Sequence, residues 1–187
     1  MEDLRVKRTY LLLKNALLEL LSKKSFDEIK VNDICNFAMV HRTTFYSHFQ
    51  DKYELLEYCI TDIEQELTKK IINTQYSNSK EFYTNLIMNI LEYISENKKM
   101  FKSVLKNNFD NGVNKIFMNT CIVYITSMLE KEQDRGIYHK IELPVIAQFY
   151  TGAVISTIVW WIKDDHKLTK KELCDSIISL IFDVPHF

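Results

Sequence analysis

Residues 31–56 read VNDICNFAMVHRTTFYSHFQDKYELL. Phe45 and Phe49 stand four apart, so at about 100° per residue they share one face of a helix. Leaving both in water would forgo about 1.5–3 kcal/mol of burial for each ring, so that face must turn inward. Thr43 and Ser47 then point most nearly away from the core, flanked by Thr44, Tyr46 and His48. Just upstream, VNDICNFA reads as a short helix with Ile34 and Ala38 inward. Just downstream, Asp51 is placed to cap a longer helix that carries Leu56, Ile60, Ile63, Leu67 and Ile71 on one side. Two short helices a few residues apart, with a longer one before them, predict a helix-turn-helix whose second helix enters a DNA major groove.

The longer first helix is predicted over about residues 3–22, where Tyr10, Leu13, Leu17, Leu20 and Leu21 recur at helical spacing and Lys7, Lys14 and Lys23 fall off that face. SKKSFDEIK breaks its period. Beyond residue 70 the stretch INTQYSNSK is the most polar and turn-like in the chain, and helices are predicted at about 79–95, 97–107, 110–133, 142–164 and 169–182, bounded by Ser79, Asn97, Gly112, Gly136 and Thr169. Three glycines and two prolines in 187 residues leave few of the punctuation marks of sheet proteins, so the fold class is all-α. The domain expectation is a three-helix DNA-binding domain over 1–50 and a helical ligand-binding and dimerisation domain over 51–187, joined by a connecting helix at 51–73.

The candidate reading surface has a chemical logic. Small polar groups at its centre, Thr43 and Ser47, let the helix approach base edges, while larger groups at its flanks reach the backbone phosphates. Arg42, at the helix start, is long enough to reach guanine O6 and N7. Lys52 opens the next helix, where an ammonium and backbone N–H groups suit a phosphate. Asn32, at the front of the preceding helix, can reach an adenine or a phosphate. Without their neighbours, Tyr46 is as well read as a rim aromatic and His48 as a surface histidine.

The run TTFYSHFQDKYELL, preceded by VNDICNFAMV and a leucine-rich helix, resembles the DNA-binding domain of the TetR (tetracycline repressor) family of bacterial regulators. By matched position the resemblance implies that Thr44, Tyr46, His48 and Lys52 contact phosphates, and that Arg42, Thr43, Ser47 and Asn32 approach bases. Three positions depart from the family pattern. Met39 stands where the turn usually has glycine, His41 where the cap is usually Ser or Thr, and Lys30 where a capping threonine is usual. NKKMFKSVLKNN and GAVISTIVWWIKDD are in addition similar to a subgroup related to regulators of dihydroxyacetone kinase operons, which implies an activator answering to a protein partner as an alternative to a repressor answering to a small molecule.

QFYTGAVISTIVWWI is apolar nearly all round and lies near the amphipathic ELCDSIISLIF. A helix without a polar face must be covered on all sides, and a four-helix bundle of two such helices from each of two subunits does so. Ile158, Trp160, Ile177 and Ile181 are the expected dimer-interface residues, and cover by the chain's own core is the alternative. The family resemblance also implies an effector pocket, to which Met88, Met100, Phe101, Phe109, Phe117, Met118, Tyr124, Phe149, Tyr150, Trp160 and Trp161 are open, although core packing serves any one of them as well.

Charge adds a mild asymmetry to a net charge of −1: through Lys52 there are nine Lys/Arg against seven Asp/Glu, and beyond it fifteen against eighteen. The four cysteines, Cys35, Cys59, Cys121 and Cys174, form no CxxC pair and read as reduced thiols of a cytoplasmic protein. MEDLRVKRTYLLLKNALLELL lacks a small-residue cleavage site and is not read as a signal peptide. Val145–Ile162 is too interrupted by Gln148, Tyr150, Thr151 and Ser156 to be read as a membrane span. No nucleophile, phosphate-loop or metal signature appears, and His139, His166 and His186 have no partners at ligand spacing, so no enzyme activity, metal or cofactor is expected. The expected partners are double-stranded operator DNA, a second copy of the chain, and an effector that is a small molecule or a protein. The rival to this reading is a helical interaction module whose head no longer binds DNA.

Overall fold

The computed structural model describes residues 4–72, 76, 78–108, 112–134, 136–137, 140–163 and 167–183. Among them are nine helices: α1 Leu4–Leu21, α2 Val31–Ala38, α3 Arg42–Tyr46, α4 Lys52–Ile72, α5 Ser79–Glu96, α6 Lys98–Asn108, α7 Gly112–Asp134, α8 Leu143–Lys163 and α9 Lys170–Phe182. Phe109, His139, His166 and His186 lie outside the described residues, as does part of INTQYSNSK.

The chain divides into two compact units. The first comprises Met1–Asp62 with Lys99–Phe117, and so extends past the expected boundary at residue 50 and recruits a later segment. Its core gathers Leu13, Leu17 and Leu21 of α1, Ile34 and Ala38 of α2, Phe45, Phe49, and Leu55, Leu56 and Cys59 of α4. The segment 99–117 joins it through Val104, Val113 and Ile116, which pack on that core, and through side-chain amides at the end of α6, described below.

Lys14 corrects the reading of α1. Rather than lying off the apolar face it is 6% exposed, with its ammonium paired to the Asp62 carboxylate of α4. An aliphatic stem lets lysine cover apolar surface, and a charge taken this far from water needs a counter-ion. On α4 the inward face of the first unit is Leu55, Leu56 and Cys59 with Ile60 packed against it, so Leu56 and Ile60 of the expected stripe belong to it and Leu55 and Cys59 widen it.

The α2–α3 turn shows how the chain manages without the usual glycine. Val40 N–H donates to the Cys35 carbonyl at 3.0 Å and Met39 N–H to that of Asn36 at 3.3 Å, the hydrogen-bond pattern that closes a helix through a left-handed residue. Met39 is that residue, with φ 52° and ψ 42° and a side chain 93% exposed. Its Cβ makes the conformation costly by about 1–2 kcal/mol. Met39→Gly removes that cost, offset by about 0.5 kcal/mol of extra chain entropy in the unfolded state. The variant is expected to melt about 2–3 °C higher, and a lower melting temperature in a thermal scan would show that the turn is not strained.

The second unit comprises Ile63–Lys98 and Met118–Phe187. Here α9 packs on α5. Leu86, Ile87, Leu91 and Ile94 of α5 are buried, as are Leu173, Cys174, Ile177 and Ile178 of α9. The expected Thr169 cap forms, its Oγ1 accepting from Glu172 N–H while the Glu172 carboxylate accepts from Thr169 N–H. At the start of α5 the cap is Asn78 rather than Ser79, its Oδ1 accepting from Glu81 N–H at 2.9 Å. Helix α8 is long and apolar enough to cross a membrane by length and composition, with a mean hydropathy of 1.5. In the unit it buries Ala147, Thr151, Ile158, Trp161 and Ile162 on one side, and the Trp161 indole N–H donates to the Leu168 carbonyl.

Candidate nucleic-acid interface

Helix α3 is held by Phe45, which is fully buried, and Phe49, which is 4% exposed. The regular helix ends at Tyr46, and the chain turns at Ser47 and His48 with the backbone N–H groups of His48 and Phe49 still donating to the Phe45 carbonyl. This leaves Arg42, Thr43, Tyr46 and Ser47 exposed on one side, with Thr44 and His48 half-buried at the margins. Asn32 is exposed on the first turn of α2. Exposure of Thr43, Tyr46 and Ser47 with Thr44 and His48 at the margins is the phase that the phenylalanine spacing implied.

Several are already oriented. The Arg42 guanidinium lies 5.6 Å from the centre of the Tyr46 ring, and its Nη2 donates to the Tyr46 hydroxyl at 3.4 Å. Stacking on a tyrosine one turn along holds the arginine guanidinium over the helix. Ser47 donates its hydroxyl proton to the Thr44 carbonyl at 2.8 Å, which leaves its oxygen lone pairs to accept from a base or a bridging water. The His48 ring packs 5.2 Å from that of Tyr10, which also meets Phe49 at 5.0 Å and Tyr58 at 4.8 Å. This aromatic backing fixes where the imidazole sits. Tyr10, placed in the sequence only as a core position, thus supports the edge of the surface.

The start of α2 lacks a side-chain cap at Lys30, since an ammonium cannot accept a hydrogen bond. Asp33 compensates: its carboxylate accepts from Lys30 N–H at 3.0 Å and from the Lys24 ammonium at 2.7 Å. The Lys24 hydrogen bond, followed by that to the Lys30 backbone, holds the Asp33 carboxyl below its ordinary range. His41 at the start of α3 also makes no capping bond through its side chain.

Lys52 departs from the expectation of a free cation at the head of α4. Its Nζ donates to the carbonyl oxygens of Phe26 at 2.7 Å, Ile29 at 2.9 Å and Asp27 at 3.3 Å. Burial pulls the ammonium below the ordinary lysine range, against the opposing pull of Asp27 and Asp51. The α4 N-terminus itself is capped by Asp51, whose Oδ1 accepts from Tyr53 and Glu54 N–H.

The residues expected at a dimer interface separate into two groups. Ile158 and Ile177, 7% and 3% exposed, are spent in the chain's own core. Trp160 is 43% exposed and Ile181 half-buried. An apolar-all-round helix carries no phase in its sequence, so which side faced its own chain was open. The structure puts Val145, Phe149 and Trp160 of α8 and Leu180 of α9 outward, with Phe149 at 69% and Leu180 at 65% exposure. All four cysteines are free thiols; burial raises Cys59 and Cys121 to about 12 each, which keeps both protonated and unreactive.

The sequence profile of bacterial regulatory proteins of the tetR family matches residues 13–59, and that of a transcriptional regulator C-terminal region of the same family matches residues 81–183. The chain is 23% identical, over 78% of its length and 75% of the relative's, to the HTH-type dhaKLM operon transcriptional activator DhaS of Lactococcus lactis. Among solved structures it is similar to a TetR transcriptional regulator of Streptococcus agalactiae, with a TM-score of 0.65 and 22% identity over 96% of this chain and 97% of the other. It is also similar to the fatty acid degradation regulator FadR of Bacillus halodurans, with a TM-score of 0.71 and 14% identity over 95% of this chain and 100% of the other.

Proposed function

This chain belongs to the tetR family of bacterial regulatory proteins and is a DNA-binding transcriptional regulator, and from that premise we propose that it works as a cytoplasmic homodimer presenting one α3 to each half of a pseudo-palindromic operator. The observation that carries this is the presented face itself: Arg42, Thr43, Tyr46 and Ser47 exposed together over a fully buried Phe45. In this reading Arg42, Thr43, Ser47 and Asn32 meet base edges, and Tyr46, Thr44 and His48 meet phosphates. Arg42→Ala is expected to cost about 1–3 kcal/mol, confined to one base position. Tyr46→Phe should weaken all duplexes alike. Titrations against a panel of single-base operator variants separate the two, and wild-type affinity in both variants would remove α3 as the reader.

The proposed dimer contact uses the outward side of α8 and α9, with Val145, Phe149, Trp160 and Leu180 in place of Ile158 and Ile177. Large apolar side chains left exposed on these two helices favour burial against a second copy. Phe149→Asp places an unpaired charge there and should yield monomers by sedimentation at micromolar protein, whereas an intact dimer would move the interface elsewhere.

The proposed control is promoter occlusion, relieved when an effector bound by the second unit shifts the population of head spacings. Similarity to an operon activator over 78% of the chain favours a second reading, activation. A reporter driven from the bound promoter decides: loss of the regulator raises expression under the first reading and lowers it under the second.

A further inference from the structure

The Ser22–Lys30 loop between α1 and α2 holds one turn, in which Glu28 N–H donates to the Ser25 carbonyl, Ile29 N–H to that of Phe26 and Ser25 N–H to the Glu28 carboxylate, and its end is tied to Asp33 of α2 through Lys24 and Lys30. Two further helices reach its middle. From α4, the Lys52 ammonium meets three of the loop's carbonyls, matching its three donors to three acceptors, and it lies 4.6 Å from the centre of the fully buried Phe26 ring. From α6, Asn108 is 3% exposed and grips the chain twice. Its Oδ1 accepts from Phe26 N–H at 2.6 Å and its Nδ2 donates to the Leu21 carbonyl at 3.1 Å. Asn107 Nδ2 donates to the Ser22 carbonyl beside it. Drawing Lys52 out to a phosphate would break three bonds, two of them part-buried; the Phe26 carbonyl would keep Ile29 N–H as a donor, whereas the Ile29 carbonyl would lose its ammonium at the cost that unpairing a part-buried group carries.

We infer that Lys52 and Asn108 are positioning residues for DNA reading: together they clamp the α1–α2 loop, which fixes where α2 starts and hence how α3 is presented, and Lys52 does this instead of binding a phosphate. The inference rests on α3 being the reading helix, but the clamp itself is measurable without DNA.

The test uses the full chain with Lys52→Gln, Lys52→Arg and Asn108→Ala. Two quantities are read: amide exchange over 26–31 in the free protein, and affinity across a salt series for the duplex that the wild type selects and for a scrambled one. The clamp predicts faster exchange in all three variants. It also predicts that the ratio of selected to scrambled affinity falls about tenfold in folded protein, the scale of one charge-assisted hydrogen bond, with the salt slope unchanged. Loss of stability alone would not move that ratio. Asn108 carries no charge, so its variant decides the matter if Lys52→Gln does not fold. The proposal is overturned if Lys52→Gln lowers the salt slope by about 0.9 while Lys52→Arg keeps full affinity, or if Asn108→Ala speeds loop exchange and leaves the ratio intact. If the wild type selects no duplex, the reading role falls, and the exchange data then show whether the clamp is structural only.

Discussion

Phe45→Ala is expected to lower the unfolding free energy by about 3–5 kcal/mol and to abolish DNA binding at physiological temperature. Phe45 is fully buried where α1, α2 and α4 converge, packed with Phe49 at a ring separation of 5.8 Å and in one cluster with Leu13, Leu17 and Ile34. Removing the ring loses its transfer free energy and leaves a cavity that three helices cannot collapse to fill. Because α3 is short, that ring is also its main anchor, so the reading face goes with it. Against a total of about 5–15 kcal/mol for a typical domain, the loss is decisive. Phe45→Leu, which keeps most of the volume, should cost under about 1.5 kcal/mol. Denaturant titration reads both; an alanine variant as stable as the wild type would mean that α3 is not seated on this core.

Asp62→Ala should cost about 1.5–3 kcal/mol, the scale of a hydrogen bond to a charged group. Its partner Lys14 has a side chain only 8% exposed, against 29% for Asp62, so removing the carboxylate takes a short charge-assisted bond from a largely buried ammonium. The double variant Lys14→Met, Asp62→Leu should recover most of that loss, because matched apolar replacement of a buried pair is often neutral or better. A single-variant cost of about 0.5 kcal/mol or less, the scale of surface pairs, would show that Lys14 escapes to water instead. The pair joins α1 to α4, so this variant also tests how firmly the reading head is fixed to the helix that leads out of it.

Much of the fold was legible because helical periodicity is strong where one face is apolar. Leu13, Leu17 and Leu21 mark α1, and Phe45 with Phe49 set the phase of α3, which in turn decides that Arg42, Thr43, Tyr46 and Ser47 face outward. The Met39 turn was legible as a conflict, a side chain where a left-handed residue is needed, and the structure resolves it by keeping the left-handed turn and its strain. What stayed hidden depended on partners far away in sequence. A lysine within an amphipathic helix looks solvated, and nothing near Lys14 announces a carboxylate 48 residues on. The carbonyls that hold Lys52 belong to the backbone, which leaves no mark in the residue pattern, and Asn108 looks like the polar end of a surface helix. The side of α8 that faces its own chain was hidden for the opposite reason: apolar residues all round give no phase.

The most direct test of the account is selection of binding sites from a random duplex library by the full-length protein, with the Arg42→Ala, Tyr46→Ala double variant in parallel. An inverted repeat, with half-sites about one helical turn or a multiple of it apart, is expected from the wild type and not from the variant. Recovery of the same repeat by both proteins, or of no sequence by the wild type at low salt, would contradict the assignment of α3 as the surface that reads DNA.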